Sequence, residues 1–224
     1  EKVIIVCGAG DYDADSNQSV SYGASRMAYE TCSSRWIPDE DIYYLLPATI
    51  TTDTLKDATA RQAAVAAGIS AAAGYDQLTL YMVGKGDDAA FDVDGDGPDS
   101  ADILPSELHT MLKDLQVASP DTRVVVILDF QQTGAWLGPL GFSNRVVVAS
   151  CGVGEDSWME SNGTVSFSQF FFNKVLTGSS VGAAYKWGRV AIRAVTGASQ
   201  NPELDDDGSG DSDKNDGTLA GVTW

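Results

Sequence analysis

The chain has 224 residues, of which 43% are hydrophobic, and this is enough to bury one sizeable core. Its 14 basic and 32 acidic residues give a formal net charge of −18, which repels phosphate backbones and anionic membrane surfaces. We therefore expect no nucleic-acid partner. The chain contains no run of 18 apolar residues, so we expect no membrane insertion, and it opens directly on a strand-like segment, so we expect no signal peptide within it.

Five apolar segments rich in β-branched residues predict strands, at residues 3–7, 42–46, 78–83, 124–128 and 145–149. Most of them are continuous rather than alternating, as in strands that are buried on both faces. Three helices are predicted between them, at residues 20–35, 57–73 and 105–116. The alternation of strands and helices predicts a single α/β domain over residues 1–224, a three-layer sandwich with a mainly parallel central sheet and helices on both faces.

The last third of the chain is predicted to complete the core and then to become irregular. The aromatic segment 167–172 and a helix over 181–194 are rich enough in large apolar residues to pack on the sheet. From Asn201 to Gly217 the sequence is almost wholly Asp, Gly, Ser and Asn, which predicts a loop.

Ligands of open α/β sheets bind at the carboxyl ends of the strands, so the residues after each predicted strand are the candidate site. These are Gly84-Lys85-Gly86, the turn from Asp129 to Gly134, and Ser150-Cys151-Gly152. Three cysteines cannot all pair within one chain. Free cysteines are usually buried, and this is what we expect of Cys7 and Cys32.

Several of these segments, in this order, resemble bacterial legumain-type cysteine peptidases, whose fold is shared with caspases, gingipains and clostripain. The resemblance rests on KVIIVCGAG, SRMAYETCSSRWIPDEDIYYLLP, QLTLYMVGKG, VVVILDFQQTG, VSFSQFFFNKVLTGSSVGAAYKWGRVAIRAV and NPELDDDGSGD, and it covers nearly the whole chain. It implies a caspase-like fold.

The resemblance also implies where the catalytic residues would stand. In that family the third strand is followed by a His-Gly pair and the fourth by a turn that contains the nucleophilic Cys. Lys85 stands at the His position and Gln131 at the Cys position. An amide is not a useful nucleophile and an ordinary lysine is protonated at neutral pH, so we expect no catalytic dyad. A vestigial pocket formed by Asp129, Gly134 and Cys151 is expected to remain, although Asp129 could instead only cap a helix or bind nearby amides.

Two routes to peptidase activity stay open at this point. Cys151 could act as a displaced nucleophile activated by Lys85, or Gln131 could reflect a mutation of an active enzyme. The only histidine, His109, falls within a predicted helix away from the strand ends, so we expect no catalytic role for it.

Two acidic segments resemble calcium-binding loops. Residues 205–216 fit the twelve-residue template with oxygen ligands at Asp205, Asp207, Ser209, Asp211, Asp213 and Asp216. Residues 92–102 begin in the same way with Asp92, Asp94 and Asp96, but Ile103 stands at the twelfth position. The last ligand there would have to come from Asp99, Asp102 or Glu107, and a solvated acidic loop is the alternative.

Calcium loops of modest affinity fill where calcium is near millimolar, so we expect an extracellular or cell-surface protein. The sequence thus predicts a catalytically inactive, calcium-stabilised domain that binds a protein or peptide partner or assembles with itself. The alternatives are a structural subunit of an extracellular filament or surface layer, and a cysteine endopeptidase.

Overall fold

The computed structural model describes residues 1–8, 20–46, 57–94, 102–160 and 164–224. Eight strands occur in this part of the chain: β1 (Lys2–Cys7), β2 (Ile42–Leu45), β3 (Gln77–Val83), β4 (Arg123–Asp129), β5 (Arg145–Ala149), β6 (Met159–Glu160), β7 (Val165–Ser166) and β8 (Glu203–Asp205). Its α-helices are α1 (Val20–Ser34), α2 (Ala58–Ser70), α3 (Pro105–Ala118), α4 (Leu137–Leu140), α5 (Phe167–Leu176), α6 (Val181–Val195) and α7 (Thr218–Val222).

A six-stranded sheet with the order β2-β1-β3-β4-β5-β8 forms the central layer. The first five strands in this order are parallel, and β8 is antiparallel to β5. The five predicted strands are confirmed to within a residue or two, because each is a continuous apolar run. All seven residues of β3 are buried, as a strand covered on both faces requires.

Helices cover both faces of the sheet. Successive side chains of a strand point to opposite faces, so Ile4 and Val6 join one core while Val3 and Ile5 join the other. The first core contains apolar residues of α2, α3 and α4, and the second contains those of α1, α5, α6 and α7. The predicted α/β architecture with a mainly parallel sheet and helices on both faces is confirmed.

Two regions differ from the prediction. The segment 201–217 was expected to be a loop, but Glu203–Asp205 form the edge strand β8, with Leu204 opposite Val148 of β5. A three-residue strand with one apolar side chain has no detectable period, so its pairing depends on the neighbouring strand. The two-residue strands β6 and β7 form a separate antiparallel pair that also has no clear sequence signal.

No helix in the described residues is both long and apolar enough to cross a bilayer.

Candidate functional site

A cleft of about 510 Å³ lies at the carboxyl ends of β3 and β4. Lys85 and Gln131, the two residues predicted at the dyad positions, both line it. The parallel register places Val83 beside Asp129, so the residues that follow the two strands emerge next to each other. The cleft is lined by Val20, Ser21, Gly84, Lys85, Gly86, Asp87, Phe130, Gln131, Ser157 and Met159.

The floor of the cleft is aromatic and closely packed. The ring of Phe130 lies 5.1 Å from that of Phe91 and 5.1 Å from that of Trp136, measured between centroids. A Cβ atom on Gly86 would lie 2.6 Å from Cδ2 of Phe130, so only glycine fits there. Trp136 donates its indole N–H to the carbonyl of Asp87 over 2.8 Å, which fixes the loop after β3 on this floor.

The turn after β4 presents Gln131 to solvent. Gln132 has a φ of 58°, in the left-handed region, and its backbone N–H donates to the carbonyl of Glu155 over 2.9 Å. This bond ties the turn to the loop that follows β5. Lys85 and Gln131 are exposed, and together they offer the cleft an ammonium group and an amide.

Cys151 lies beside this turn but is fully buried. Its thiol donates to the carbonyl of Phe130 over 3.3 Å, and its backbone N–H donates to Thr133 Oγ1 over 3.2 Å. Burial raises the pKa of the Cys151 thiol, although the hydrogen bonds with Thr133 oppose the rise. A protonated, enclosed thiol is a poor nucleophile, and here it joins the β4 turn to the β5 loop.

The other two cysteines and the histidine lie elsewhere. Cys7 and Cys32 are buried and free, as predicted, and burial raises the pKa of each to about 12. His109 lies on α3, where its ring packs edge-to-face on Phe142, and burial lowers its pKa. Neither a reactive thiol nor the imidazole therefore borders the cleft.

Asp129 is the central anchor beneath the cleft. It is fully buried and accepts hydrogen bonds from Ser157 Oγ at 2.6 Å, from the Ser168 amide at 3.1 Å and from the Ser168 hydroxyl. Burial raises its pKa, although these hydrogen bonds oppose the rise. Asp129 thus binds nearby amide and hydroxyl groups. It accepts from the first turn of α5 and does not cap the helix that follows β4 in sequence.

Gly134 and Glu155 hold the β5 loop against the β4 turn. A Cβ atom on Gly134 would lie 2.6 Å from the amide nitrogen of Val153, so this close approach requires glycine. The Glu155 carboxylate accepts hydrogen bonds from the backbone amides of Gly152 and Asn201, at 2.9 Å and 2.6 Å. The predicted pocket residues thus support the wall of the cleft instead of lining it.

One predicted calcium loop brings three carboxylates together. Ligand oxygens of Asp205, Asp207 and Asp216, the first, third and twelfth template positions, lie within 4.8 Å of one another. Burial raises the pKa of Asp205 and of Asp216. The carboxylates of Asp211 and Asp213, two of the other predicted ligands, are not in this group. The hydroxyl of Ser209, the remaining one, donates to the carbonyl of Asp211 over 3.2 Å.

In the second loop, the third carboxylate comes from a residue that is not a ligand position of the template. Asp92, Asp94 and Asp102 have ligand oxygens within the same 4.8 Å, and Asp92 and Asp102 are fully buried. Asp102 was one of three candidates for the missing last ligand. Asp96 and Asp99 lie outside the described residues. Two oxygens bound to one calcium ion are at most ~5 Å apart, so both groups fit the ligand chemistry of calcium.

The comparisons with known proteins concern the fold. No family model matches the chain, and no curated protein matches it. Among solved structures, caspase-1 from Spodoptera frugiperda is similar to it, with a TM-score of 0.56 at 10% sequence identity, over 92% of this chain and 85% of that chain. The fold is caspase-like. At 10% identity this likeness establishes the architecture alone, so the residues in the cleft must be interpreted from their own chemistry.

The sequence identified Lys85 and Gln131 at the cleft, and Gly84, Gly86 and Phe130 fall in the candidate segments that follow β3 and β4. It did not identify the contact of Ser168 with Asp129, since the two residues lie 39 positions apart. The alternation of Ser157 and Met159 was the only available signal that this segment has one face toward the cleft.

Proposed function

We propose that this caspase-like domain is a catalytically inactive relative of the legumain-type peptidases that binds an extended peptide segment in the cleft beside Lys85 and Gln131. The observation that carries the proposal is the composition of the cleft, in which an ammonium and an amide occupy the positions that the resemblance assigns to an imidazole and a thiol. Such a surface can donate hydrogen bonds to peptide carbonyls, but it supplies neither the nucleophile nor the base of that reaction.

Geometry argues against a displaced nucleophile. An attacking thiolate must reach the substrate, whereas Cys151 is enclosed and its thiol is directed at the carbonyl of Phe130. Its pKa is raised by burial, so the thiolate is rarer than in a free cysteine.

We further propose that calcium stabilises the domain at the Asp205 and Asp92 groups, and that the protein acts outside the cell or on its surface. Three carboxylates that converge in either group repel one another, and a hard divalent cation relieves this repulsion. The location follows from the modest affinity expected of loops that lack a bidentate Glu at their end.

Peptide binding can be measured with a fluorophore at the rim of the cleft. A bimane label on a Gln131→Cys variant should change its emission saturably when a pool of extended peptides is added. The matched control is a Ser106→Cys variant labelled on α3, which should not respond. Two outcomes would refute a peptide groove. Either the two labels change their emission equally, or the label at position 131 does not respond to basic, acidic or neutral peptide pools.

Catalysis is tested with quenched fluorescent peptides. The native chain and the single variants Lys85→His and Gln131→Cys should be silent, and the double variant should gain cleavage that iodoacetamide abolishes. Hydrolysis by the native chain that Cys151→Ala removes would contradict the proposal and favour an active peptidase.

A further inference from the structure

The outward face of α6 combines apolar and basic side chains. Three large apolar residues on it are unusually exposed, namely Trp187, Val190 and Val195, at 48%, 66% and 55%. Beside them lies the basic strip, which we define as Lys186, Arg189 and Arg193, spaced by three and four residues so that they share one side of the helix. An apolar face rimmed by charges is typical of an interaction surface rather than of a helix that faces water only.

The basic strip forms no salt bridge within the described ranges, whereas Arg26 pairs with Glu30 on α1 at 2.9 Å. Arg189 interacts with Tyr185 and electrostatically with Glu203 of its own copy. The strip borders a cavity of about 540 Å³ whose apolar lining includes Tyr185 and Leu204. Asp213 and Asp216 also border this cavity, but their carboxylates accept amide hydrogen bonds within their own loop.

A surface of the opposite sign lies next to the end of the same helix. We call residues 156–160 the acidic segment, because Asp156 and Glu160 are exposed there. Its alternate residues Ser157 and Met159 face the cleft, whereas Trp158, 45% exposed, and Glu160 line a second cavity of about 190 Å³ together with Val195. Val195, the last residue of α6, is thus the apolar residue through which the helix adjoins the acidic segment.

We propose that a second copy of this chain docks on this surface, with the basic strip of each copy against the acidic segment of the other. Two adjacent patches of opposite charge are exchanged by a two-fold rotation, so both contacts form at once. Trp187 and Val190 then lie between the copies with Trp158, where burial removes apolar surface from water. A second copy is the partner that fits, because its acidic segment supplies carboxylates for the basic strip and an exposed tryptophan for the apolar residues beside the strip.

The high net charge does not prevent this association. At about 0.15 M salt the repulsion between distant carboxylates is screened beyond ~8 Å, whereas charges that touch across the interface are screened much less. The contact involves neither occupation of the cleft nor bound calcium, so its failure would leave the proposed function untouched.

Sedimentation equilibrium tests the dimer through a charge exchange. The native chain should become a dimer as its concentration is raised to about 100 µM, with and without calcium. The variant Arg189→Glu/Arg193→Glu and the variant Asp156→Lys/Glu160→Lys should each be monomeric, with association weakened at least ~100-fold by like charges. An equimolar mixture of the two should restore a dimer that contains one copy of each, because every contact then pairs opposite charges again.

Controls keep the result interpretable. Lys113→Glu and Asp114→Lys reverse exposed charges on α3, on the other face of the sheet, and should leave the dimer intact. Far-ultraviolet circular dichroism and melting should show all variants folded. A monomeric native chain, a mixture of folded variants that stays monomeric, or an open-ended polymer would each overturn the two-fold contact.

Discussion

Replacing Asp207 by Asn should lower the stability of the fold much more in calcium than without it. In the calcium-free protein, Asp207 Oδ1 accepts the Ser209 amide over 2.9 Å, and an Asn side chain can keep this bond with its own oxygen. The substitution also removes one of three carboxylates whose oxygens lie within 4.8 Å of one another. Hydrogen bonds from Ser209 lower the pKa of Asp207, so its charged form favours the fold, and the variant should melt at the same temperature as the native chain or slightly lower in chelator.

In calcium the loss of stability should be much larger. A site filled at 100 times its dissociation constant stabilises the fold by about 2.7 kcal/mol. If loss of one charged ligand weakens calcium binding about 100-fold, the same calcium concentration contributes only ~0.4 kcal/mol. The calcium increment thus falls by ~2.3 kcal/mol, or about 5–9 °C in melting temperature for a chain of this size.

Differential scanning calorimetry in millimolar calcium and in excess chelator gives both comparisons. Asp114→Asn, an exposed change of the same kind on α3, is the control and should leave the calcium increment unaltered. The reasoning would be refuted if Asp207→Asn lowered the melting temperature equally in both buffers, because Asp207 would then act only through its hydrogen bonds. An unaltered increment would show that calcium, if bound, does not use this carboxylate.

Three further predictions concern the carboxyls and the thiols. Burial raises the pKa of Asp205 and of Asp216 above the values of the unfolded chain. Between the unfolded and the folded pKa, the folded chain therefore binds more protons than the unfolded chain. In metal-free buffer the free energy of unfolding should consequently rise as the pH falls from 7 through the folded pKa values. A urea titration that showed falling stability over this range would contradict the shift. Asp129→Ala leaves the Ser168 amide and hydroxyl without their acceptor and should cost about 2–3 kcal/mol in urea unfolding, whereas Asp121→Ala, at an exposed site, should cost almost nothing. All three buried thiols should react with Ellman's reagent only after denaturation, and rapid labelling of native Cys151 would revive the displaced nucleophile.

The sheet was predictable because its strands are continuous apolar runs. A strand such as β4, with six buried residues in succession, can be satisfied only between two layers of helices. The edge strand β8 was not predictable, since Leu204 is its one apolar residue and its neighbours are acidic. Its pairing is decided by β5, which places Val147 opposite Asp205.

The site was predictable only where chemistry follows directly from strand order. Lys85 and Gln131 stand immediately after two strands that are neighbours in the sheet, so their approach follows from the topology. By contrast, Glu155 binds Asn201 across 46 positions of sequence. No local pattern announces such a contact, because it depends on how the β5 loop packs.

In the first predicted calcium loop, the carboxylates of the first, third and twelfth template positions come together, and calcium binding there stays a prediction. Asp205 sits at the end of an edge strand, and the following Asp206 accepts the amides of Gly217 and Ala220, at 2.9 Å and 2.7 Å. These bonds close the loop by drawing its last residue, Asp216, toward its first. A template counts spacing, whereas here the closure depends on a buried carboxylate that is not one of its ligand positions.

The residues that shape the cleft are separate from those that would perform chemistry in it. Gly86 and Phe130 set the floor by close packing, while Asp129 and Cys151 tie the surrounding turns together from below. None of these contacts involves the side chain of Lys85 or Gln131. The proposed function therefore predicts that the double variant, which places both a nucleophile and a base in the cleft, gains reactivity, whereas each single variant still lacks one of the two groups.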